Sequence, residues 1–217
     1  MIAMILAAGR GERLRPVTNT VPKALVEVRG EKLIDRHLRM LTKAGAENIV
    51  INLGWLGEKI VEHVGSGHRY GVQVIYSPEY DNVLETGGGI YRALPVLGSE
   101  PFWVVNADIY TDFEIPANKL KNAFAAELVL VDTPAHKPKG DFDLVDGRTV
   151  NGPERPLTYS GIARYRPEFF ANAGEGRFSV VPMLRDAADA GKLAGTHYGG
   201  MWCDVGSPER LEALNRA

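Results

Sequence analysis

The sequence predicts an α/β fold: a mostly parallel sheet between flanking helices, with a small antiparallel element in its later part. Three observations carry this. Short β-rich apolar runs alternate with amphipathic helical patterns through the first half, and runs that are apolar on both faces belong to parallel strands covered by helices. Beyond Pro116 the alternation gives way to shorter segments and a Pro/Gly/Lys-rich stretch, "TPAHKPKGDFD". The 217 residues suffice for one sizeable core without making two full domains the default. One unit over 1–217 is therefore expected, with halves 1–115 and 116–217.

In chain order, strands are expected over 2–6, 48–52, 72–76 and 102–105, and helices over 32–44, 56–64 and, behind a glycine run, 89–94. The second half predicts a helix over 116–125 and a strand over 128–131. Segments 142–145 and 158–165 follow and look antiparallel. A helix over 181–190, a strand pair over 193–198 and 201–205, and a terminal helix over 208–215 close the chain. The last helix is well signalled, because Ser207 can cap it, Pro208 suits its first position and Glu209 lies at its positive end.

Composition excludes several classes. A net charge of -2 leaves no surface for coating nucleic acid and no polybasic membrane anchor. No apolar run approaches the roughly 20 residues that span a bilayer. The opening MIAMILAA lacks the basic stretch of a secretion signal. Cys203 is the only cysteine, which excludes an internal disulfide framework and a Cys-rich zinc site and fits a reducing, cytoplasmic setting. The five histidines show no H-E-x-x-H spacing, and Ser160 lacks the glycine frame of a nucleophile elbow.

In an open α/β sheet, ligands bind outside the carboxyl ends of the strands. That rule nominates 7–16, 52–54, 77–89 and 106–111 as walls of one crevice. The first is "LAAGRGERLRP". Gly9 and Gly11 remove Cβ atoms where backbone N–H groups could form an anion-binding concavity, and Ala7 and Ala8 leave room for a flat base. Arg10, Arg13, Arg15 and Lys23 set four cations against Glu12. The loop is neither a Walker P-loop nor a dinucleotide fingerprint, since Leu14 stands where the third glycine of G-x-G-x-x-G belongs. Alone it reads as a tight glycine turn with solvated arginines or as a phosphate cradle. "SPEYDNVLETGGGIYRAL" offers a second close-approach point at Thr86 and Gly87, or simply a flexible start to a helix. "WVVNADIYTD" places Asp108 just past a strand, where a carboxylate can hold Mg²⁺ beside phosphates or serve a turn, as Asp112 is expected to do. Cys203 reads as packing.

The string "MILAAGRGERLRPVTNTVPKAL" resembles the signature of the sugar-1-phosphate nucleotidyltransferases, L-A-A-G-x-G-x-R-L-x-P-x-T followed by P-K-x-L. "MWCDVGSPERL" is similar to that family's W-x-D-x-G-T-x-E-x-L. The resemblance runs from Met4 to Leu211. It implies a Rossmann-like, GT-A-like sheet and a transfer from a nucleoside triphosphate to a sugar 1-phosphate with release of pyrophosphate. It also implies a nucleotide-binding first half and a sugar-binding second half. Ala8, Gly9, Gly11, Glu12, Arg13 and Lys23 would surround the triphosphate, with Thr86, Gly87 and Asn106 beside the nucleoside. Asp108 and Asp204 would bind Mg²⁺, and Arg13, Lys23, Asp108 and Asp204 would carry catalysis. A guanidinium fork suits two phosphate oxygens and an ammonium supplies a compact charge, so the physics agrees with these roles.

Glu85-Thr86-Gly87 resembles the uridylyl-transferring branch, which favours UTP, with N-acetylmuramate 1-phosphate as the expected sugar. Guanylyl or thymidylyl transfer to mannose or glucose 1-phosphate is the alternative, and a GT-A glycosyltransferase a more distant one. A non-catalytic sensor is expected to have lost Lys23 or an aspartate. On the sugar side the family's Glu-Lys-Pro is replaced by "NGPERPLTYSGI". Gly140 and Asn151 take the sugar-contacting positions, while Lys139 or Arg155 could meet the sugar phosphate. Ala107 stands where relatives carry glycine. Asn52 and Glu79 are further pocket candidates.

Overall fold

The computed structural model describes residues 1–79 and 83–216. The first half runs β1 (Ile2–Leu6), three short 3-10 turns, β2 (Glu27–Val28), β3 (Glu31–Lys32), α1 (Leu33–Lys43), β4 (Asn48–Leu53) and α2 (Gly57–Val64). It continues with β5 (Gln73–Pro78), α3 (Glu85–Leu97), β6 (Phe102–Asn106) and β7 (Ile109–Thr111). The second half runs β8 (Ala126–Asp132), β9 (Asp143–Val145), β10 (Arg148–Val150) and β11 (Leu157–Tyr165). It closes with α4 (Val181–Asp189), β12 (Leu193–His197), β13 (Trp202–Asp204) and α5 (Pro208–Arg216).

One nine-stranded sheet, in the order β5-β4-β1-β6-β11-β8-β12-β10-β9, passes through both halves. The four strands β5, β4, β1 and β6 are all parallel, as the doubly apolar runs predict. β11 is antiparallel to both neighbours, β12 returns parallel to β8, and β10 and β9 add an antiparallel edge. The central strand β1 shows why the core has two layers. Ala3 and Ile5 pack with Ile34, Leu38 and Leu41 of α1 and Ile60 of α2, whereas Met4 packs with Ile90 and Ala93 of α3 and belongs to the cluster containing Leu184 of α4. Successive strand residues face opposite sides, so both faces must be covered by helices. α1 buries Leu33, Ile34, His37, Leu38 and Leu41 as one stripe. It ends where Gly45 takes a left-handed conformation (φ 88°).

Three expectations are corrected. The helix predicted over 116–125 does not form. Its carbonyls are taken from the side by arginines of and beside β11: Arg164 donates to Asn118 O, and Arg166 to Leu120 O and Phe124 O. Arg164 is itself buried, paired with Glu127 and stacked over Trp103. The strand pair over 193–198 and 201–205 is not a pair. β12 joins the large sheet, while β13 turns away to form an antiparallel ladder with β7. The glycine run lies inside α3 rather than before it, for packing reasons that belong to the site.

Candidate active site

The carboxyl ends of β1, β4 and β6 and the first turn of α3 enclose a cavity of about 180 Å³. Ala7, Ala8 and Gly9 form one side, Val83, Glu85 and Thr86 another, and Asn52, Glu79, Asn106, Asp108 and Lys23 complete the wall. Residues 77–89 were expected here; of these, Tyr80, Asp81 and Asn82 lie outside the described residues.

The opening loop is held in place from below. Trp55 donates its backbone N–H to Ala8 O and its indole N–H to Thr18 O, and Thr18 donates its hydroxyl to Gly11 O. Gly11 has φ 62°, and a Cβ there would lie 2.9 Å from Thr18 Cγ2. Its glycine is therefore explained by the turn. Gly9 differs, since a Cβ there would meet no protein atom within 4 Å. Gly9 also lines the cavity, where backbone without a Cβ leaves room for a ligand to approach. Arg10 and Arg13 are exposed and, among the described residues, have no acidic partner, whereas Glu12 pairs with Arg15 at 3.8 Å.

Asn52 and Glu79 are buried and organise the floor. Asn52 accepts from Ala7 N (2.6 Å) and donates to Glu79 Oε1 (2.8 Å), while Glu79 Oε2 accepts from Leu84 N (2.9 Å). A Cβ at Gly89 would lie 2.7 Å from Glu79 Oε1, so that glycine makes room for the network. Gly87 is one residue behind the cavity wall, and its N–H is donated to Phe178 O at 3.0 Å. Thr86 is on the wall itself, and Asn106 lies across from it at the end of β6.

The two aspartates are brought together by the ladder that the sequence reading misassigned. β13 pairs with β7 so that Asp204 stands opposite Ile109, and Val205 N donates to Asp108 O at 2.8 Å. Lys23 Nζ donates to Asp108 Oδ2 at 2.6 Å. Arg210, reaching back from α5, lies 3.1 Å from Asp204 Oδ2. Gly206 permits this, because a Cβ there would fall 1.9 Å from the Arg210 guanidinium. Asp204 Oδ1 is buried and accepts no hydrogen bond, although His136 Nε2 lies 3.5 Å away. Ala107, where relatives carry glycine, is buried in the core cluster with Val105 and Ile109 and also lines the cavity. His37 is fully buried in α1 behind Asp108, and burial pushes it down to about 4 against the pull of the Asp108 charge, so it is neutral at pH 7. Burial, reinforced by the Asp204 charge, raises the Cys203 thiol, which leaves it unreactive.

Of the two residues expected to contact the sugar, Gly140 is locked in place beside β8 and β11. Its N–H is donated to Arg155 O, and a Cβ would lie 2.4 Å from each of three oxygens, those of Arg155, Leu157 and Thr133. Asn151 is drawn to α4, donating to Arg185 O (2.9 Å) and Asp189 Oδ1 (2.8 Å) and accepting from Arg185. Neither residue is in the wall of the cavity described above. Lys137 is bound to Asp141, and Lys139 is exposed. The motif reading missed His136 and Arg210. Arg210 occupies a variable position of the terminal motif, and only its passage over Gly206 marks it out.

The Gly-rich loop, Lys23 and Asp108 lie at the carboxyl edge of the parallel strands, with Asp204 next to Asp108 on the separate β7–β13 ladder, an arrangement that agrees with the family relationship. The nucleotidyl transferase family matches residues 2–146, and the chain belongs to it. Among individual proteins, it is 46% identical to the N-acetylmuramate alpha-1-phosphate uridylyltransferase of Neisseria meningitidis serogroup B, over 98% of this chain and 96% of that protein. It is 36% identical to the protein of the same name from Caulobacter vibrioides, over 96% and 93%. The solved inositol-1-phosphate CTP transferase of T. maritima superposes with a TM-score of 0.78 over 98% of this chain and 94% of that one, and at 20% identity this likeness concerns the fold. Among the described residues no helix is long and apolar enough to cross a membrane.

Proposed function

We propose that this chain transfers a uridylyl group from UTP to N-acetylmuramate α-1-phosphate, giving UDP-N-acetylmuramate and pyrophosphate, a product suited to re-use in cell-wall synthesis. The observation that carries the reading is the β7–β13 ladder, which brings the backbone at Asp204 next to that of Asp108, itself bonded to Lys23 on the wall of the cavity that Gly9 also lines. The names of the two near-full-length relatives support the choice of base and sugar.

The residues present fit a magnesium ion. Asp204 Oδ1 is a buried carboxylate oxygen with no hydrogen bond, and Asp108 adjoins it on the ladder. Two carboxylates with the remaining positions left to water and phosphate oxygens is a common Mg²⁺ arrangement. Among the described residues there is no cluster of three or more His, Cys, Asp or Glu that would cage a metal without substrate. Bound there, the ion would neutralise phosphate charge.

The attacking group, a sugar phosphate oxygen, is already anionic at pH 7, so no base and no protein nucleophile is needed. A P–O bond to the α-phosphorus forms as the bond to the pyrophosphate oxygen breaks in line. Lys23, 13% exposed at its side chain, is placed to exchange Asp108 for a triphosphate oxygen. Arg13 and the backbone at Gly9 hold the departing phosphates. His136, on the loop after β8, lies 3.5 Å from Asp204 Oδ1 and is the group proposed to meet the sugar phosphate. Orientation and charge neutralisation of two polyanions account for the catalysis.

The test is pyrophosphate release from each of four nucleoside triphosphates with a panel of sugar 1-phosphates. Turnover with UTP and N-acetylmuramate α-1-phosphate above all other pairs is expected. Release with another pair alone would replace the substrate assignment and keep the class. UDP release from a nucleotide sugar would replace the class.

A further inference from the structure

The wall of the cavity formed by Val83 to Thr86 does not stand on its own. It is clamped by 176–180, a segment of the second half that leads into α4. Phe178 O accepts from both Gly87 N (3.0 Å) and Gly88 N (3.1 Å), and Phe178 N donates to Leu84 O (3.1 Å). Val180 N donates to Thr86 Oγ1 (3.1 Å), and Arg177 Nε pairs with Glu85 Oε1 (2.8 Å). The contact is interlocked as well as bonded: a Cβ at Gly87 would lie 2.4 Å from the Phe178 ring, and one at Gly88 2.2 Å from Gly176 O. Phe178 also meets Tyr91 of α3 edge-on. Glu85, the first residue of α3, is held at φ 60°, a left-handed conformation that a glutamate adopts only when its surroundings enforce it.

We infer that the segment 176–180, through Phe178, positions the nucleobase wall and sets the enzyme's choice of base. The inference rests on the proposed uridylyl transfer and adds a determinant of its specificity. Two of the N–H groups at the start of α3 are spent on Phe178 O, so this helix end presents side chains and not those amides to a ligand. Thr86 Oγ already accepts a hydrogen bond from Val180, which leaves its hydroxyl proton free for a carbonyl acceptor on the base and only one lone pair for an amino group. Uracil presents a carbonyl where cytosine presents an amino group. The segment thus acts through Thr86 and Glu85 and need not touch the substrate itself. It also joins the two halves, because α4 carries the Arg185–Asn151 contact of the sugar side.

Phe178→Ala leaves the backbone bonds in place and empties the interlock; Phe178→Leu empties it in part and serves if the alanine variant does not fold. Each full-length variant is compared with the wild type by thermal melting, by calorimetric binding of UTP and CTP, and by KM for each substrate. UTP binding in the alanine variant is expected to weaken about tenfold. The preference for UTP over CTP should narrow, while KM for N-acetylmuramate α-1-phosphate stays within about twofold, since among the described residues Gly140, Asn151 and His136, the residues proposed to meet it, share no hydrogen bond or ion pair with 176–180. A folded variant with wild-type UTP affinity and base preference would overturn the inference alone. So would an equal rise in both KM values, the mark of a general loosening. A wild-type chain that binds none of the four triphosphates would overturn the proposed function and this inference with it.

Discussion

Lys23 Nζ and Asp108 Oδ2 lie 2.6 Å apart, joining positions 85 residues apart in the chain. The cation suited to the phosphates and the carboxylate suited to the metal thus neutralise each other before substrate arrives. Replacing Lys23 then has two effects of opposite sign. Lys23→Met frees Asp108 from its competitor, so Mg²⁺ alone, read by calorimetry, should bind more tightly than to the wild type. The same variant should lose on the order of 10²-fold or more in kcat/KM, because a charge at the reacting phosphate is gone. Weaker metal binding and lost activity together would show that Lys23 holds Asp108 in place instead of competing for it.

Asp204 has one oxygen held by Arg210 and the other buried without a hydrogen bond. Asp204→Asn keeps the shape and removes the charge. Turnover at limiting Mg²⁺ should fall on the order of 10²-fold, with partial recovery at high Mg²⁺. Unchanged activity in a folded variant at limiting Mg²⁺ would remove Asp204 from the metal site.

His136 lies 3.5 Å from Asp204 Oδ1, and among the described residues no other side chain of its loop forms an ion pair with either aspartate. His136→Ala should raise KM for the sugar 1-phosphate about tenfold, roughly the loss of one hydrogen bond to a charged group. KM for UTP should hardly move. Steady-state kinetics with each substrate varied in turn separates the two outcomes.

His37 supplies a prediction about stability. Burial lowers it from an ordinary 6.5 to about 4, so between those values the unfolded chain binds the extra proton and the folded chain does not. Stability from this group is complete above pH 6.5 and is lost as pH falls toward 4. The loss amounts to about 2 kcal/mol by pH 5 and to about 3 kcal/mol below pH 4. Urea melts between pH 7 and 4.5, with EDTA present so that metal binding does not contribute, should show this slope. His37→Leu should flatten it.

Much of the nucleotide side is legible from residue pattern, because β1, β4 and β6 are apolar on both faces and their ends must converge. Gly9, Lys23 and Asp108 line the cavity, whereas Gly11, Glu12, Arg13 and Asp204 do not. The second half resists such reading for physical reasons. The residues over 116–125 have helical composition, yet Arg164 and Arg166, far along the chain, capture the carbonyls that a helix needs. The sequence predicts that segments 193–198 and 201–205 pair, but both edges of β12 are already occupied by β8 and β10, so β13 must find β7. The glycines at 87 to 89 resemble a ligand-approach loop, and each is explained by a protein group that fills its missing Cβ. Long-range partners of this kind leave no local periodicity to detect.

The β7–β13 ladder has a consequence for the order in which the enzyme comes into being. During synthesis the chain releases the Gly-rich loop, Lys23 and Asp108 long before Trp202–Asp204 leaves the ribosome, and the 176–180 clamp of the base wall follows only shortly ahead of that strand. A nascent chain paused short of that strand carries a cleft shaped for a nucleotide but only one of the two carboxylates. On the proposed assignment of Asp204, the metal pair is complete only once that last strand has joined β7.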